Sequence, residues 1–320
     1  MPALLEVQDL RTAFTSRGGE IRVVDGVSFS VGAGRLTGVV GESGSGKTIT
    51  ALSIMRLLPE GAAIVGGAVR FEGTDLLGLS EKQMQRVRGG RIAMIFQEPM
   101  SSLNPVFTIG NQIGEAIGLH QRLSRSEIRA RTIEALRMVG IADPERRVGD
   151  YPHQLSGGMR QRVMIAMALS CNPRLLIADE PTTALDVTIQ AEILDLIRDL
   201  QQRLGLAVLL ITHDLGVVAN YADDVVILYA ARVMERSPAR ELFSDPLNPY
   251  TQALLASIPG ISGHRERRLK AIGGTIPSPA TPPPGCRFHP RCPRAIADCA
   301  RIEPPLEEKK AGHYVACIRV

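Results

Sequence analysis

The amino-acid sequence predicts an α/β fold with a parallel sheet at its core. Three short apolar segments, 36–40, 175–178 and 206–212, have the length and composition of buried strands. Two segments with helical spacing of apolar residues, 47–58 and 188–204, lie between them. Strands that alternate with helices are typical of parallel α/β sheets, so we expect that fold class.

The rest of the chain predicts three additions to this core. The segments LLEVQDLRTAF and IRVVDGVSFSV, separated by Gly18-Gly19, predict strands of an N-terminal antiparallel β subdomain. Residues 111–140 have helical spacing and predict a helical subdomain. Five prolines in the eight positions 277–284 predict a stiff connector to a C-terminal extension that contains four of the five cysteines.

Length and composition exclude several classes of function. A chain of 320 residues suggests about two domains, and 44% hydrophobic residues suffices for a core. The net charge of +4 is small, aromatic residues make up 4% and Trp is absent, so we expect no nucleic-acid partner. No apolar run approaches the ~18–20 residues of a membrane span, and the N-terminus has no signal-peptide pattern. We therefore expect a soluble, cytosolic chain that touches a membrane only through a partner.

The segment GESGSGKT at 41–48 matches the phosphate-binding pattern G-x-x-x-x-G-K-[ST], after a predicted strand and at the start of a predicted helix. Its glycines let successive N–H groups point at an anion, and the helix N-terminus attracts negative charge. Lys47 can reach the β- and γ-phosphates, and the Thr48 hydroxyl can bind Mg²⁺. The predicted nucleotide-binding residues are those of this segment and the next residue, namely Gly41, Glu42, Ser43, Gly44, Ser45, Gly46, Lys47, Thr48 and Ile49.

Two acidic residues, Asp179 and Glu180, follow the apolar segment 175–178, at the strand end where ligands bind in open α/β sheets. Alternation along the strand should direct Asp179 to Mg²⁺ and Glu180 to a water that attacks the γ-phosphate. An acidic pair at a strand end is about as often a solvent-facing terminus. His213 follows another apolar strand, and we expect it at the same sheet edge.

The segment Ser156-Gly157-Gly158 opens a predicted helix and forms a second anion cradle. One nucleotide does not need two such cradles from one chain. We therefore predict a head-to-tail pair of subunits, in which the second cradle of each subunit closes over the nucleotide of the other.

Together these motifs resemble those of the ATP-binding subunits of ABC transporters, over nearly the whole chain. The resemblance implies a RecA-like P-loop NTPase core at 1–97 and 171–236, a helical subdomain at 98–170 and an extension at 237–320. It implies ATP and Mg²⁺ as cofactors and places Gln97 in the loop that senses nucleotide state. Two positions differ from the expected pattern: Met159 stands where Gln is usual, and Ala231 where Gly is expected. The implied roles are catalysis for Glu180, His213, Lys47 and Gln97, Mg²⁺ binding for Thr48, Gln97 and Asp179, and contacts across the dimer for Ser156, Gly157, Gly158 and Asp186.

The adenine ring has one candidate partner in the sequence. Phe14 lies at a suitable distance upstream of the phosphate loop to stack on adenine, and packing within the strand core is an equal alternative.

Longer segments narrow the resemblance to the oligopeptide/dipeptide importer ATPases, among them FQEPMSSLNP and NPYTQALLASIP. The resemblance implies a subunit that hydrolyses ATP to energise peptide import, at the cytoplasmic side of the cell membrane. Its implied partners are a related second ATPase, two permease subunits and a peptide-binding protein. Nickel or glutathione as cargo is an alternative. A soluble ABC-type ATPase that acts on nucleic acid or ribosomes is another, although such proteins typically carry insertions or a second cassette.

Four cysteines form the pattern Cys286-x5-Cys292-x6-Cys299-x17-Cys317. Four thiolates suit structural Zn²⁺ or a [4Fe–4S] cluster, and the lack of a short C-x₂₋₄-C pair favours the latter. The resemblance implies a [4Fe–4S] cluster at these residues. A redox-sensing role and four free thiols are the alternatives, and His289 could compete as a ligand.

Overall fold

The computed structural model describes residues 3–16, 19–97, 102–183, 185–257 and 272–320. The chain forms two compact units. The first comprises Met1–Leu77 and Leu210–Val320, and the second comprises Gly78–Leu209. The division into core, helical subdomain and extension made above stays a prediction.

The predicted alternation of strands and helices is confirmed in the described residues. The helix predicted at 47–58 ends earlier, because Arg56 adopts a left-handed φ of 51° and closes it. The strands are β1 (Ala3–Ser16), β2 (Gly19–Gly32), β3 (Leu36–Val40), β4 (Ala62–Phe71), β5 (Thr74–Asp75), β6 (Ile92–Ile95), β7 (Leu175–Asp179), β8 (Ala207–Thr212), β9 (Asp224–Tyr229), β10 (Arg232–Pro238), β11 (Glu307–Lys310) and β12 (His313–Val315). The helices are α1 (Lys47–Met55), α2 (Glu81–Val87), α3 (Ile109–His120), α4 (Arg125–Met138), α5 (Pro144–Arg147), α6 (Gly157–Leu169), α7 (Val187–Leu204), α8 (Leu215–Tyr221), α9 (Ala239–Ser244) and α10 (Pro249–Ala256).

In the first unit, the N-terminal strands form an antiparallel sheet in the order β2–β1–β4–β5. Its inner face is apolar, with Leu5, Val7, Val27 and Phe29 at most 2% exposed. The predicted antiparallel subdomain is therefore confirmed, and it also includes β4 and β5, which the sequence did not indicate. Gly18 of the predicted turn lies outside the described residues.

A second sheet of the first unit runs in the order β11–β12–β10–β9–β3, with β8 next. Strands β3 and β9 are parallel, and helix α8 packs against β3. This approach is close: a Cβ at Gly38 would lie 2.7 Å from a methyl group of Val218. Only glycine leaves room for the helix at that point of the strand.

The C-terminal extension belongs to this sheet, because β12 pairs with β10. The carboxylate of Glu235 in β10 is fully buried and accepts three hydrogen bonds. The donors are the backbone N–H groups of Leu247 (2.7 Å) and Asn248 (3.1 Å) and Nε2 of His313 (2.7 Å). Buried carboxylates are stable only with such partners, so this group joins the extension to the sheet.

The extension also contributes to the core of the first unit. Phe288 is 1% exposed and packs on Tyr229 and Tyr250, with ring centroids 5.4 and 5.1 Å away. The two tyrosine rings lie 4.6 Å apart. The segment 286–292 is thus packed against strands and helices that precede it by many residues.

The turn between β9 and β10 explains one departure noted in the sequence. Ala230 and Ala231 both have positive φ, 45° and 70°. Two-residue hairpin turns with this conformation favour Asn and Gly. Gly, the residue that the resemblance leads us to expect at position 231, would therefore adopt this conformation without strain.

In the second unit, β6 and β7 form a parallel pair, and helices α3, α4 and α6 pack on one another. Ile109, Ile113 and Ile117 of α3 are fully buried. A capping box begins α4, in which Ser124 and Glu127 bond to each other's backbone N–H. Among the described residues, no helix combines the length and apolarity needed to cross a bilayer.

Candidate nucleotide-binding site

The phosphate loop joins β3 to α1 in the first unit, in the predicted strand–loop–helix context. Close backbone approaches require its glycines. A Cβ at Gly41 would lie 2.1 Å from the carbonyl oxygen of Leu228, and a Cβ at Gly46 would lie 2.4 Å from that of Val23. Gly44 has a φ of +78°, a backbone conformation that favours glycine, and no atom lies within 4 Å of the place where a Cβ would be.

The lysine side chain of the loop bonds to the loop's own backbone. The Lys47 ammonium donates to the carbonyl oxygens of Gly41 (2.7 Å) and Glu42 (3.1 Å), and Lys47 is only 6% exposed. The buried hydroxyl of Ser45 finds no hydrogen-bond partner among the described residues. Ser43 is exposed, and Thr48 and Ile49 are half-buried at the start of α1. A buried cation, an unsatisfied hydroxyl and a helix N-terminus fit a phosphate group.

The carboxylate of Glu42 has partners that sequence reasoning missed. Arg291 donates to both of its oxygens, at 2.8 and 3.1 Å, and the Tyr250 hydroxyl lies 3.3 Å from one of them. These residues lie 249 and 208 positions further along the chain. Their proximity could not be read from local pattern, although an arginine beside Cys292 is a visible feature of the extension.

The second unit brings the side chains of Gln97 and Glu180 together. Oε2 of Glu180 accepts hydrogen bonds from Nε2 of Gln97 (3.0 Å) and from the Thr183 hydroxyl (2.9 Å). Asp179 ends β7 and is 1% exposed. Carboxylate and amide oxygens are ligands that Mg²⁺ prefers, so the donor chemistry of Asp179 and Gln97 in this unit fits that ion, as does that of the Thr48 hydroxyl in the first unit.

The backbone at the two acids has a feature that the sequence did not predict. The prediction relies on strand alternation through both residues, but β7 stops at Asp179 and Glu180 has a φ of +44°. A left-handed conformation is unfavourable for a residue with a side chain, by about 1 kcal/mol or more. The backbone turn therefore sets the position of the Glu180 carboxylate.

The predicted second cradle begins α6 in the same unit. The Ser156 hydroxyl accepts from the N–H of Met159 (3.3 Å) and caps the helix, and Ser156 and Gly157 are exposed. Asp186 is exposed too and caps α7 through the N–H of Ile189 (3.0 Å). A Cβ at Gly158 would lie 2.9 Å from Ile189, so the starts of the two helices are close neighbours. Ala184, two residues before Asp186, lies outside the described residues.

His213 and Phe14 are in the first unit. His213 follows β8 and is exposed, and the adjacent Asp214 caps α8 by accepting from the N–H of Gly216 at 2.7 Å. Phe14 lies in β1 between β2 and β4 and is half-buried. Stacking on adenine and packing in the sheet both stay open for Phe14.

The four cysteines of the extension are neighbours in the first unit. Burial raises the pKa of Cys286 to about 11, against a hydrogen bond from the Phe288 backbone that lowers it, and the charges of Cys317, Cys299 and Cys292 add smaller increases. In the described part of the chain, no three His, Cys, Asp or Glu side chains form a group that could hold a metal ion. Ligation of a [4Fe–4S] cluster by these four cysteines therefore stays a prediction. His289 bonds through Nδ1 to the carbonyl oxygen of Cys286 (2.9 Å).

Comparison with known proteins shows the family. The model of the ABC transporter family matches residues 24–183, and that of the oligopeptide/dipeptide transporter C-terminal region matches residues 234–299. The chain belongs to the ABC transporter ATPases. This ABC ATPase is 56% identical to the probable peptide ABC transporter ATP-binding protein y4tR of Sinorhizobium fredii, over 99% of the chain and 95% of that protein. It is 52% identical to the oligopeptide transport ATP-binding protein AppD of Bacillus subtilis, over 99% of the chain and 97% of that protein.

Solved structures agree with the fold of this ABC ATPase. The bacterial ABC transporter cassette MJ0796, solved as a dimer, superposes with a TM-score of 0.66 at 27% identity. The match covers 74% of this chain and 99% of that cassette. CbiO1 of Clostridium perfringens gives the same TM-score and identity over 77% of this chain and 92% of its own. The predicted P-loop NTPase fold is confirmed.

Proposed function

We propose that this ABC ATPase hydrolyses ATP to energise the import of di- or oligopeptides through a membrane transporter. The observation that carries the proposal is the extent of the likeness to peptide-transport ATP-binding proteins. It runs along 99% of the chain, and a separate family model of oligopeptide/dipeptide transporters matches the extension.

The nucleotide chemistry is assigned to the residues of the two units as follows. The N–H groups of 41–48 and Lys47 bind the phosphates of ATP, and Phe14 stacks on adenine. Thr48, Gln97 and Asp179 would hold Mg²⁺, which would supply positive charge opposite the phosphates. Glu180 polarises the attacking water, and His213 stabilises the charge that develops on the γ-phosphate. The bond from Gln97 to Glu180 supports a shared role for those two residues.

We also infer, from exposed residues of the second unit, how this ATPase assembles with its partner subunits. Ser156, Gly157, Gly158 and Asp186 contact the nucleotide of a second, related ATPase subunit in a head-to-tail dimer. The exposure of Ser156 and Gly157 at the N-terminus of α6 supports this assignment, since the free N–H groups of a helix start attract phosphate. The dimer works at the cytoplasmic side of the cell membrane with two permease subunits, and a peptide-binding protein delivers the cargo.

The extension carries a [4Fe–4S] cluster on Cys286, Cys292, Cys299 and Cys317. The gathering of the four thiols in one region of the first unit supports this part of the proposal. Anaerobic purification followed by iron, sulfide and zinc analysis tests it. About four irons per chain are expected. One zinc without iron, or neither metal, would reject the cluster and leave the ATPase assignment standing.

Glu180→Gln tests the catalytic assignment. The variant should bind ATP with Mg²⁺ as the parent does but hydrolyse it at least about 100-fold more slowly, because general-base catalysis contributes factors of about 10²–10⁴. Lys47→Ala is the matched control and should lose ATP binding instead. Parent-like turnover in Glu180→Gln would reject Glu180 as the base.

Transport is tested by reconstituting this chain in vesicles with the permeases, the binding protein and the second ATPase of its transporter. Peptide-loaded binding protein should stimulate ATP hydrolysis, and labelled peptide should accumulate only with ATP. Stimulation by nickel or glutathione in place of peptides would assign another cargo.

A further inference from the structure

The carboxylate of Glu42 is held from the C-terminal extension. Arg291 donates Nη1 to Oε2 (2.8 Å) and Nη2 to Oε1 (3.1 Å), which is the two-pronged geometry of the strongest arginine–carboxylate pairs. The Arg291 side chain is 5% exposed and that of Glu42 is 25% exposed, so solvent screens the pair only partly. The hydrogen bond to Glu42 is the main reason that the pKa of Arg291 is raised.

The Tyr250 hydroxyl completes the contacts of Glu42. It accepts from the backbone N–H of Glu42 and donates to Oε2, both at 3.3 Å. Burial raises the pKa of Tyr250, so the hydroxyl keeps its proton as a donor. Both the backbone and the side chain of this phosphate-loop residue are therefore restrained.

Arg291 is itself fixed by its surroundings. Its Nε donates to the carbonyl oxygen of Gly273 (2.9 Å) and its Nη1 to the Tyr229 hydroxyl (3.3 Å). It ends the 3₁₀ turn His289–Arg291, and Phe288 beside that turn packs in the core. A guanidinium held on this many sides acts as a rigid support rather than as a mobile surface charge.

The restrained loop residue lies next to the predicted phosphate ligands. The Lys47 ammonium donates to the carbonyl oxygen of Glu42 (3.1 Å), so a shift of the Glu42 backbone would move an acceptor of that ammonium. The N–H of Ser45 donates to the same carbonyl oxygen (3.1 Å). The Glu42 peptide thus helps to shape the cradle.

A second chain of contacts reaches the loop from the same segment of the extension. Arg287 donates to the carboxylate of Asp25 and to the carbonyl oxygen of Ala230. The N–H of Asp25 donates to the carbonyl oxygen of Ala231 (2.9 Å), and the N–H of Ala231 donates to that of Ser45 (3.0 Å). Segment 286–292 therefore supports the phosphate loop at both Glu42 and Ser45.

We propose that Arg291 is a positioning residue for ATP binding, which acts through Glu42 to hold the phosphate loop in its anion-binding shape. The inference rests on the proposed function, since it assumes that ATP binds at 41–48. Positioning of a binding group by remote residues is a coupling between sites, and such couplings typically amount to about 5- to 150-fold in affinity. We expect about tenfold for Arg291.

The test measures the dissociation constant of a non-hydrolysable ATP analogue with Mg²⁺, the KM and kcat for ATP, and the melting temperature of the full chain. Arg291→Ala and Glu42→Ala should each weaken binding about tenfold and raise KM more than they lower kcat. The double variant should bind no more weakly than either single one, because both remove the same contact. Arg291→Lys should recover only part of the affinity, since an ammonium cannot bond both oxygens in parallel. Arg294→Ala, an exposed arginine of the same region, should leave affinity unchanged.

Parent-like affinity in Arg291→Ala with a lower melting temperature would overturn the proposal and assign Arg291 to the fold alone. Additive losses in the double variant would overturn it as well. If Arg291→Ala does not fold, Glu42→Ala decides, and unchanged affinity there rejects the proposal. Loss of binding in the parent, or retention in Lys47→Ala, would instead reject the proposed function.

Discussion

Glu235→Ala should strongly destabilise the first unit. Glu235 is fully buried and accepts from three donors, the N–H groups of Leu247 and Asn248 and Nε2 of His313. The truncation leaves these donors buried without an acceptor, and each orphaned group costs about 1–3 kcal/mol. The expected total is about 3–5 kcal/mol, as for other buried charged networks that lose one member.

Thermal and urea unfolding of the full chain measure the effect. In a unit of this size, 1 kcal/mol corresponds to about 2–4 °C, so the melting temperature of the first unit should fall by about 6–20 °C. Glu235→Gln keeps the shape and one acceptor, and should lose less than half of that. Glu241→Ala removes an exposed carboxylate close by in the chain and should change stability by less than about 0.5 kcal/mol. A loss below about 1 kcal/mol in Glu235→Ala would show that the buried network does not join the extension to the sheet.

Two further substitutions have defined outcomes. Burial raises the pKa of Asp25, but the charges of Arg232 and Arg287 outweigh it and hold that pKa below its ordinary value of 3.8. Ionised Asp25 therefore stabilises the fold above that pH and less as the pH falls through the lower folded value. Asp25→Asn should lower stability at pH 7 and flatten its decline between pH 5 and about pH 2 in unfolding titrations, and an unchanged slope would contradict this. Ser124→Ala removes the N-cap of α4 and should cost about 1 kcal/mol in urea unfolding, whereas exposed Ser126→Ala should cost less than half as much.

Much of the candidate site could be predicted because its signals are local. The phosphate loop needs glycines, a lysine and a hydroxyl within eight residues, and the flanking strand and helix have their own patterns. The acids at the end of β7 were found in the same way. The conformation of Glu180 was not, because a positive φ at a glutamate has no sequence signature and depends on the contacts around it.

The contacts of Glu42, in contrast, could not be predicted from local sequence patterns. Arg291 and Tyr250 reach it across more than 200 residues, and their approach depends on the packing of Phe288 between extension and sheet. Sequence reasoning saw a proline-rich connector and a cysteine pattern in this region. It could not predict that β11 and β12 extend the central sheet. Every residue of β11 is charged, which is unusual in a strand, and β12 has only three residues, too few to show an alternating pattern.

Because the extension packs into the first unit, its cysteines cannot be studied by deleting it. Removal of residues 272–320 would take Phe288 away from Tyr229 and Tyr250, His313 away from Glu235 and Arg287 away from Asp25. Loss of a buried phenylalanine alone costs about 3–5 kcal/mol, and the orphaned acids add to it. The sum approaches the whole stability of a typical domain, so the truncated chain should be unfolded or insoluble by circular dichroism and sedimentation. A folded truncated chain that binds ATP like the parent would contradict both the packing argument and the role of Arg291. Single Cys→Ser substitutions, which leave these contacts in place, are therefore the variants that can separate the thiols from the fold.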